Sequence, residues 1–181
     1  MNLKDFIDGG FYFLRHGESE NNRLDRVNGW TDSPLTALGE KQASAAARIL
    51  SEYPIRRIVT SDLQRARRTA EIVAESFSDI AIEIFTTLRE RHWGIYENQP
   101  RAIRPALFEV PEGGEGPEDY HRRVMDVLEH IRPDQSTLIV AHAGTMRVLK
   151  ESLGLADPVA RVQNSSPIFI KTSKPADFRS L

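Results

Sequence analysis

The chain has 181 residues, 40% of them hydrophobic, with 24 Lys and Arg against 26 Asp and Glu for a formal charge of −2. That length fits a single domain spanning residues 1–181 with a sizeable core, and the near-balanced charge argues against a nucleic-acid surface. Cysteine is absent, which removes disulfides, thiolate metal sites and cysteine nucleophiles.

At the N-terminus, Met1 to Gly10 carries Lys4, Asp5 and Asp8 and lacks the apolar stretch of a signal peptide. No apolar run approaches the ~20 residues of a membrane helix. The expectation is a soluble cytoplasmic protein with neither membrane nor nucleic acid as partner. No motif fixes an oligomeric state. After Gly9-Gly10, the short apolar run Phe11 to Leu14 predicts a buried strand. Thr36 opens a helical pattern with Leu38, Ala45, Ala46, Ile49 and Leu50 on one face. Ile55 to Thr60 predicts a second strand. Ser61-x-x-Gln64 then reads as a capping box, followed by Leu63, Ala66, Ala70, Val73 and Phe77 at helical spacing. Ala81 to Phe85 is a third candidate strand.

Pro100, Pro105, Pro111 and Gly113-Gly114 make the stretch from Trp93 to Glu115 irregular. Pro117 suits the first turn of a helix lined by Tyr120, Val124, Val127, Leu128 and Ile131. Ser136 to Ala141 predicts a strand, a short helix runs from about Thr145 to Leu153, and Ile168 to Lys171 is the last candidate strand. Alternating strands and helices predict an α/β fold, a three-layer α/β/α sandwich around a mainly parallel sheet. Ligands bind such sheets at the carboxyl ends of the strands. Three polar clusters fall there: Arg15-His16-Gly17-Glu18, Thr60-Ser61 and His142-Ala143-Gly144.

Leu14-Arg15-His16-Gly17-Glu18-Ser19-Glu20-x-Asn22 resembles the signature of the histidine phosphatase superfamily, which includes the cofactor-dependent phosphoglycerate mutases. The likeness continues through Gly29-Trp30-Thr31-Asp32, Leu35-Thr36 and Gly39. It returns at Thr60-Ser61-Asp62-Leu63-x-Arg65-Ala66-x-x-Thr69-Ala70, at Leu88-x-Glu90-Arg91-His92-Trp93-Gly94, and at Ala141-His142-Ala143-Gly144-Thr145-x-Arg147. The blocks keep the family's order over nearly the whole chain. The resemblance implies a phosphoglycerate mutase-like fold, His16 as covalent nucleophile, and Arg15, Arg65 and His142 as its catalytic cage. Glu90 is implied as general acid and base. Gly17, Ser19, Asn22, Asn28, Gly29, Arg91, Trp93, Arg101, Ala143 and Gly144 are the implied substrate contacts. His92 is expected to be structural or to support the site from behind, and His121 and His130, at helix positions, to be unrelated to function.

The chemistry fits these residue types. Phosphoryl transfer needs positive charge around the equatorial oxygens, and no carboxylates stand at metal-ligand spacing, so no metal is expected. Arg15 and Arg65 offer bidentate forks that match phosphate. Adjacent cations favour a neutral, attacking His16. His142 can donate to a phosphate oxygen and Asn22 adds a neutral donor.

The implied reaction divides two ways. Glu90 to Gly94, Asn28-Gly29-Trp30 and the position of Arg101 are mutase-like, and a mutase would need 2,3-bisphosphoglycerate as cofactor. Against this, only about fifty residues separate Glu90 from His142, where mutases carry a long covering insertion, and His142-Ala143-Gly144 resembles the phosphatase branch. A smaller cover admits water. Hydrolysis of a small phosphorylated metabolite, with no cofactor, is therefore the expectation. A non-catalytic phosphate-binding module would lack a nucleophile or clamp residue, and none is missing. Tyr96, Arg101 and Arg104 in the 95–116 segment are candidates to read a carboxylate, a second phosphate or a sugar.

Overall fold

The computed structural model describes residues 9–154, 162–172 and 177–181. Its centre is β1 (Gly10–Arg15), buried along its whole length. Alternation assigns its side chains to two cores: Phe11 and Phe13 face one, Tyr12 and Leu14 the other. The other strands are β2 (Arg57–Ser61), β3 (Ala81–Phe85), β4 (Thr137–Ala141), β5 (Pro167–Lys171) and β6 (Asp177–Ser180). They form one sheet in the order β3-β2-β4-β1-β5-β6. The first four run parallel, and β5 and β6 add an antiparallel edge.

The helices are α1 (Glu20–Arg23), α2 (Ala37–Leu50), α3 (Gln64–Ala74), α4 (Pro117–Ile131) and α5 (Ala143–Leu153). Residues of α4 and α5 share a core with Phe11, Phe13, Val59 and Ile139. Residues of α2 and α3 share the opposite core with Tyr12, Leu14, Ile58 and Val140. The result is the three-layer α/β/α arrangement, with the central strands β1, β2 and β4 buried on both faces. Among the described residues, no helix is long and apolar enough to cross a membrane.

Two local expectations change, and one element is new. Ser61 does not cap α3. It is the last residue of β2, and the helix starts at Gln64 with Leu63 as N-cap. The Gln64 N–H instead donates to Asp32 Oδ1 at 2.8 Å, so the cap comes from a distant loop. In α2 the buried stripe is Gly39, Ala43, Ala46, Ala47 and Leu50, while Leu38, Ala45 and Ile49 are exposed. Small residues face inward there because α2 lies close against α3. Finally, α1 is a single turn held by a Ser19 capping box with Asn22, too short to leave a periodic pattern.

Candidate active site

The sheet brings the two histidines together. Arg15 pairs with Ala141 across β1 and β4. The next residue on each strand is therefore His16 and His142, and the His16 N–H donates to the Ala141 carbonyl at 3.0 Å. Their rings lie 5.3 Å apart between centroids. Both are buried, His16 with 3% of its surface exposed and His142 with none.

The His16 tautomer follows from one contact. Nδ1 is 2.7 Å from the Gly17 carbonyl. A carbonyl only accepts, so Nδ1 carries the proton and Nε2 keeps the lone pair. Burial first, then the charges of Arg65 and Arg15, holds the His16 imidazole well below the ordinary histidine range. The same causes act on His142: burial, then Arg65, with His16 and Arg15 adding to them. Neither ring nitrogen of His142 has a hydrogen-bond partner among the described residues. A buried imidazole without partners is costly unless it serves a ligand.

Arg65 reaches the site from the first turn of α3 and is completely buried. Its guanidinium donates to the carbonyls of Thr31 (3.0 Å) and Gly29 (2.7 Å), with Asn28 at 3.4 Å. Desolvation pushes its pKa down to about 10, so it remains a cation near neutrality. Arg15 donates to the Val162 carbonyl at 2.8 Å. Glu90 comes from the loop after β3. Its Oε1 accepts the Arg91 N–H at 2.8 Å, and its Oε2 accepts the Gly144 N–H at 2.9 Å, at the start of α5. The Glu90 carboxyl group thus sits at the N-terminus of α5. A Cβ on Gly144 would run into Glu90 Oε1, so glycine is needed for this close approach.

A cleft of about 500 Å³, open solvent included, lies above these groups. Arg15, His16, Asn22, Asn28, Glu90, Trp93, Arg101, Ala143 and Gly144 line it, joined by Val27, Arg104 and Arg147. Arg65 and His142 are fully buried and do not themselves line it, but they lie close enough together that the Arg65 charge helps to hold His142 neutral.

Four expected substrate contacts take other positions. Ser19 is fully buried, caps α1 and accepts from Asn28 Nδ2 at 2.7 Å. Arg91 is buried and turned from the cleft, donating to the carbonyls of Glu115 (2.8 Å), Leu107 (2.5 Å) and Glu109. It is the strut of the 104–116 segment. Gly17 is a packing position: a Cβ there would meet the Gly39 carbonyl of α2. Gly29 is likewise close-packed, against Glu97 and the Arg91 carbonyl. Tyr96 does not line the cleft. His92 stacks on Trp30 at 4.8 Å, His121 meets Ser152 at 3.0 Å, and His130 lies against Phe85.

Sequence reasoning missed three residues. Glu97 accepts from Trp30 N–H (2.8 Å), Trp93 N–H (2.9 Å), and both Thr31 N–H (2.8 Å) and Thr31 hydroxyl (2.7 Å). It therefore ties the loop that holds Arg65 to the loop that follows Glu90. Asn164 donates to the His16 carbonyl at 2.8 Å. Arg147 follows Ala143 by four residues, one helical turn, and that spacing alone would have placed it on the same face.

The two depressed histidines make stability depend on pH. The unfolded chain takes up protons near the ordinary histidine value of about 6.5, whereas the folded chain does not until lower pH. Stability is therefore complete above that value and falls as pH drops below it, by up to about 1.4 kcal/mol per pH unit for each histidine. Urea unfolding in phosphate-free buffer should show a lower midpoint at pH 5.5 than at 7.5, and a shallower dependence in His142→Gln. An unchanged slope in the variant would remove His142 from the account.

Comparison with known proteins gives a consistent pattern. The family model for the histidine phosphatase superfamily, branch 1, matches residues 11–164. A protein of Bacillus subtilis strain 168 named uncharacterized phosphatase PhoE is 33% identical over 150 residues, 80% of this chain and 77% of that one. A protein of Serratia proteamaculans named probable phosphoglycerate mutase GpmB is 47% identical over 88 residues, 49% of this chain. The match spans only 40% of that relative's length. Among solved structures, mycobacterial glucosyl-3-phosphoglycerate phosphatase superposes with a TM-score of 0.79 at 26% identity, covering 95% of this chain and 96% of that one. TTHB049 from Thermus thermophilus gives 0.76 at 30% identity, covering 95% and 96%.

Proposed function

The chain belongs to the histidine phosphatase superfamily, and on that premise we propose that it is a metal-independent phosphomonoester hydrolase acting through a phosphohistidine on a small phosphorylated metabolite of the cytoplasm. The observation that carries this reading is the His16 tautomer: Nδ1–H is held by the Gly17 carbonyl, which leaves Nε2 as a nucleophile within the field of Arg65 and Arg15.

In the first step, Nε2 attacks phosphorus and the ester P–O bond breaks. The departing oxygen takes a proton from the Glu90 carboxyl, which lines the same cleft. Arg15, Arg65 and His142 donate to the equatorial oxygens as their charge spreads. In the second step, water gives its proton to Glu90 and its oxygen attacks phosphorus. The P–N bond breaks and His16 is restored neutral once the phosphate leaves.

The mutase reading draws on the mutase-like blocks at Asn28-Gly29-Trp30 and Glu90 to Gly94, the position of Arg101, and the 47% identity with a relative of that name, confined to 40% of its length. Two observations favour hydrolysis. The phosphatase just described matches along nearly its whole chain. The stretch between Glu90 and His142 holds only the turns at Gly94–Tyr96 and Arg101–Ile103, α4 and β4, leaving little to exclude water. The purified protein should release phosphate from p-nitrophenyl phosphate in the presence of EDTA. Activity lost on chelation and restored by Mg²⁺ or Zn²⁺ would refute the Arg/His cage as sole electrophile. Interconversion of 3- and 2-phosphoglycerate, primed by 2,3-bisphosphoglycerate with little phosphate released, would replace hydrolase with mutase. Phosphate binding with no turnover of any ester would leave a binding module.

A further inference from the structure

The cleft holds more positive charge than one phosphate uses. Six arginines gather at or behind it, and four are satisfied. Arg65 and Arg91 each donate to several backbone carbonyls, Arg15 donates to Val162, and Arg101 pairs with Asp25 at 2.8 Å. Arg104 and Arg147 differ. Both line the cleft, both are half-buried, and neither side chain has a hydrogen bond or ion pair among the described residues. Glu90 is the only carboxylate lining the cleft among the described residues, and it is engaged by two backbone N–H groups.

Physical chemistry makes this arrangement unfavourable without a ligand. Burial, with Arg101, Arg147 and Arg91 repelling it and Glu90 offsetting only part of that, holds the Arg104 guanidinium below its ordinary value. Arg91 is held down likewise, by burial first and then by Arg147. Arginine does not escape such repulsion by losing its proton, because its pKa stays far above neutrality. Arg104 lies over the Trp93 ring, 4.7 Å from its centroid, and Arg147 rises from α5 one turn after Ala143. Two cations lining one cleft make a receptor for a planar or tetrahedral anion.

We propose that Arg104 and Arg147 form a second anion site, which binds a carboxylate or second phosphate on the far end of the phosphomonoester whose first phosphate is attacked by His16. The proposal rests on the hydrolase reading and narrows it to dianionic substrates with a charged remainder.

The test uses matched pairs of esters. One pair is 3-phosphoglycerate against glycerol 3-phosphate, for a carboxylate. The other is 1,3-propanediol bisphosphate against 3-hydroxypropyl phosphate, for a second phosphate. One hydrogen-bonded charge contact contributes about 1.5–3 kcal/mol, so kcat/KM should favour the charged member of at least one pair by about tenfold to a hundredfold. In Arg147→Met and Arg104→Met that preference should fall by about tenfold or more, chiefly through KM, with partial retention in Arg147→Lys. Reading the ratio within each variant removes any loss of folded protein. Equal kcat/KM within both pairs, or a preference unchanged by both substitutions, overturns the second site. If no ester is hydrolysed, p-nitrophenyl phosphate included, the hydrolase reading fails by itself. Calorimetric titration of the same pairs then decides the site: tighter binding of a charged member, lost in Arg147→Met, sustains it, and equal binding refutes it.

Discussion

His16→Ala should abolish both turnover and formation of a phosphoenzyme, while His142→Ala should slow turnover by about 10²-fold or more yet leave label on His16. The two rings are close neighbours at 5.3 Å, and both are kept neutral by burial and by the arginines, so neutrality does not tell them apart. Their hydrogen bonds do. The Gly17 carbonyl fixes the proton of His16 on Nδ1 and the ring in one orientation, as a nucleophile requires. The Asn164 side chain holds the His16 carbonyl, and the Thr69 hydroxyl accepts the Gly17 N–H at 3.0 Å. The turn is thereby over-determined. His142 has no such anchor among the described residues. With both nitrogens unpartnered, its single N–H is left available to donate to a phosphate oxygen. Rapid-quench labelling with a ³²P-labelled ester, followed by peptide mapping at alkaline pH, measures both expectations. Label on the His142 peptide, or turnover by His16→Ala, would reverse the assignment.

Much of this site was legible because the sheet did the assembly. Two apolar runs, Phe11 to Leu14 and Leu138 to Val140, each led into a histidine within two residues. Once both are parallel neighbours in register, His16 and His142 must meet. Glu90 and Arg65 were reachable only through the family likeness, since a glutamate between two arginines and an arginine in a run of charge read locally as solvated surface. What the sequence hid was long-range. The α3 cap belongs to Asp32, thirty-two residues before Gln64, and no local pattern competes with the false box at Ser61. Glu97 acts through backbone N–H groups of two other loops, which any sequence supplies and none advertises. Arg91 looked like a substrate ligand because it adjoins Glu90. Its guanidinium turns to three carbonyls of the 104–116 segment instead, since that irregular chain leaves acceptors that need donors. The exposed Leu38 shows the same limit in α2: helical spacing gave a stripe, and close contact with α3 selected the alanine stripe beside it.

Glu90→Gln should lower hydrolysis of alkyl phosphates by about 10²–10⁴-fold and should change the kinetics on p-nitrophenyl phosphate in a different way. Glutamine keeps the size of the side chain and can still accept one backbone N–H, so the loop between Arg89 and Arg91 has reason to stay in place. Its other supports are independent of the carboxylate. Trp30 Nε1 donates to the Glu90 carbonyl at 2.8 Å, Arg123 donates to the carbonyls of Thr87 (2.7 Å) and Arg89 (3.0 Å), and Arg89 pairs with Asp62. What the amide cannot do is give up and recover a proton. An alkoxide is a poor leaving group and needs that proton as the P–O bond breaks. A nitrophenolate leaves without one, so phosphorylation of His16 should remain fast on that substrate. The second step still needs a base to deprotonate water. Glu90→Gln should therefore give a burst of nitrophenol close to one per active site, followed by slow turnover, with phosphohistidine accumulating. Tyr120 does not replace the lost acid and base. Its hydroxyl is held well above the ordinary tyrosine range, first by burial and then by the Glu90 charge, so it cannot act as a base near neutrality. Stopped-flow nitrophenol release together with quenched phosphoenzyme decides the matter. An equal fall on both ester classes with no burst would mean that Glu90 positions the substrate and carries no proton.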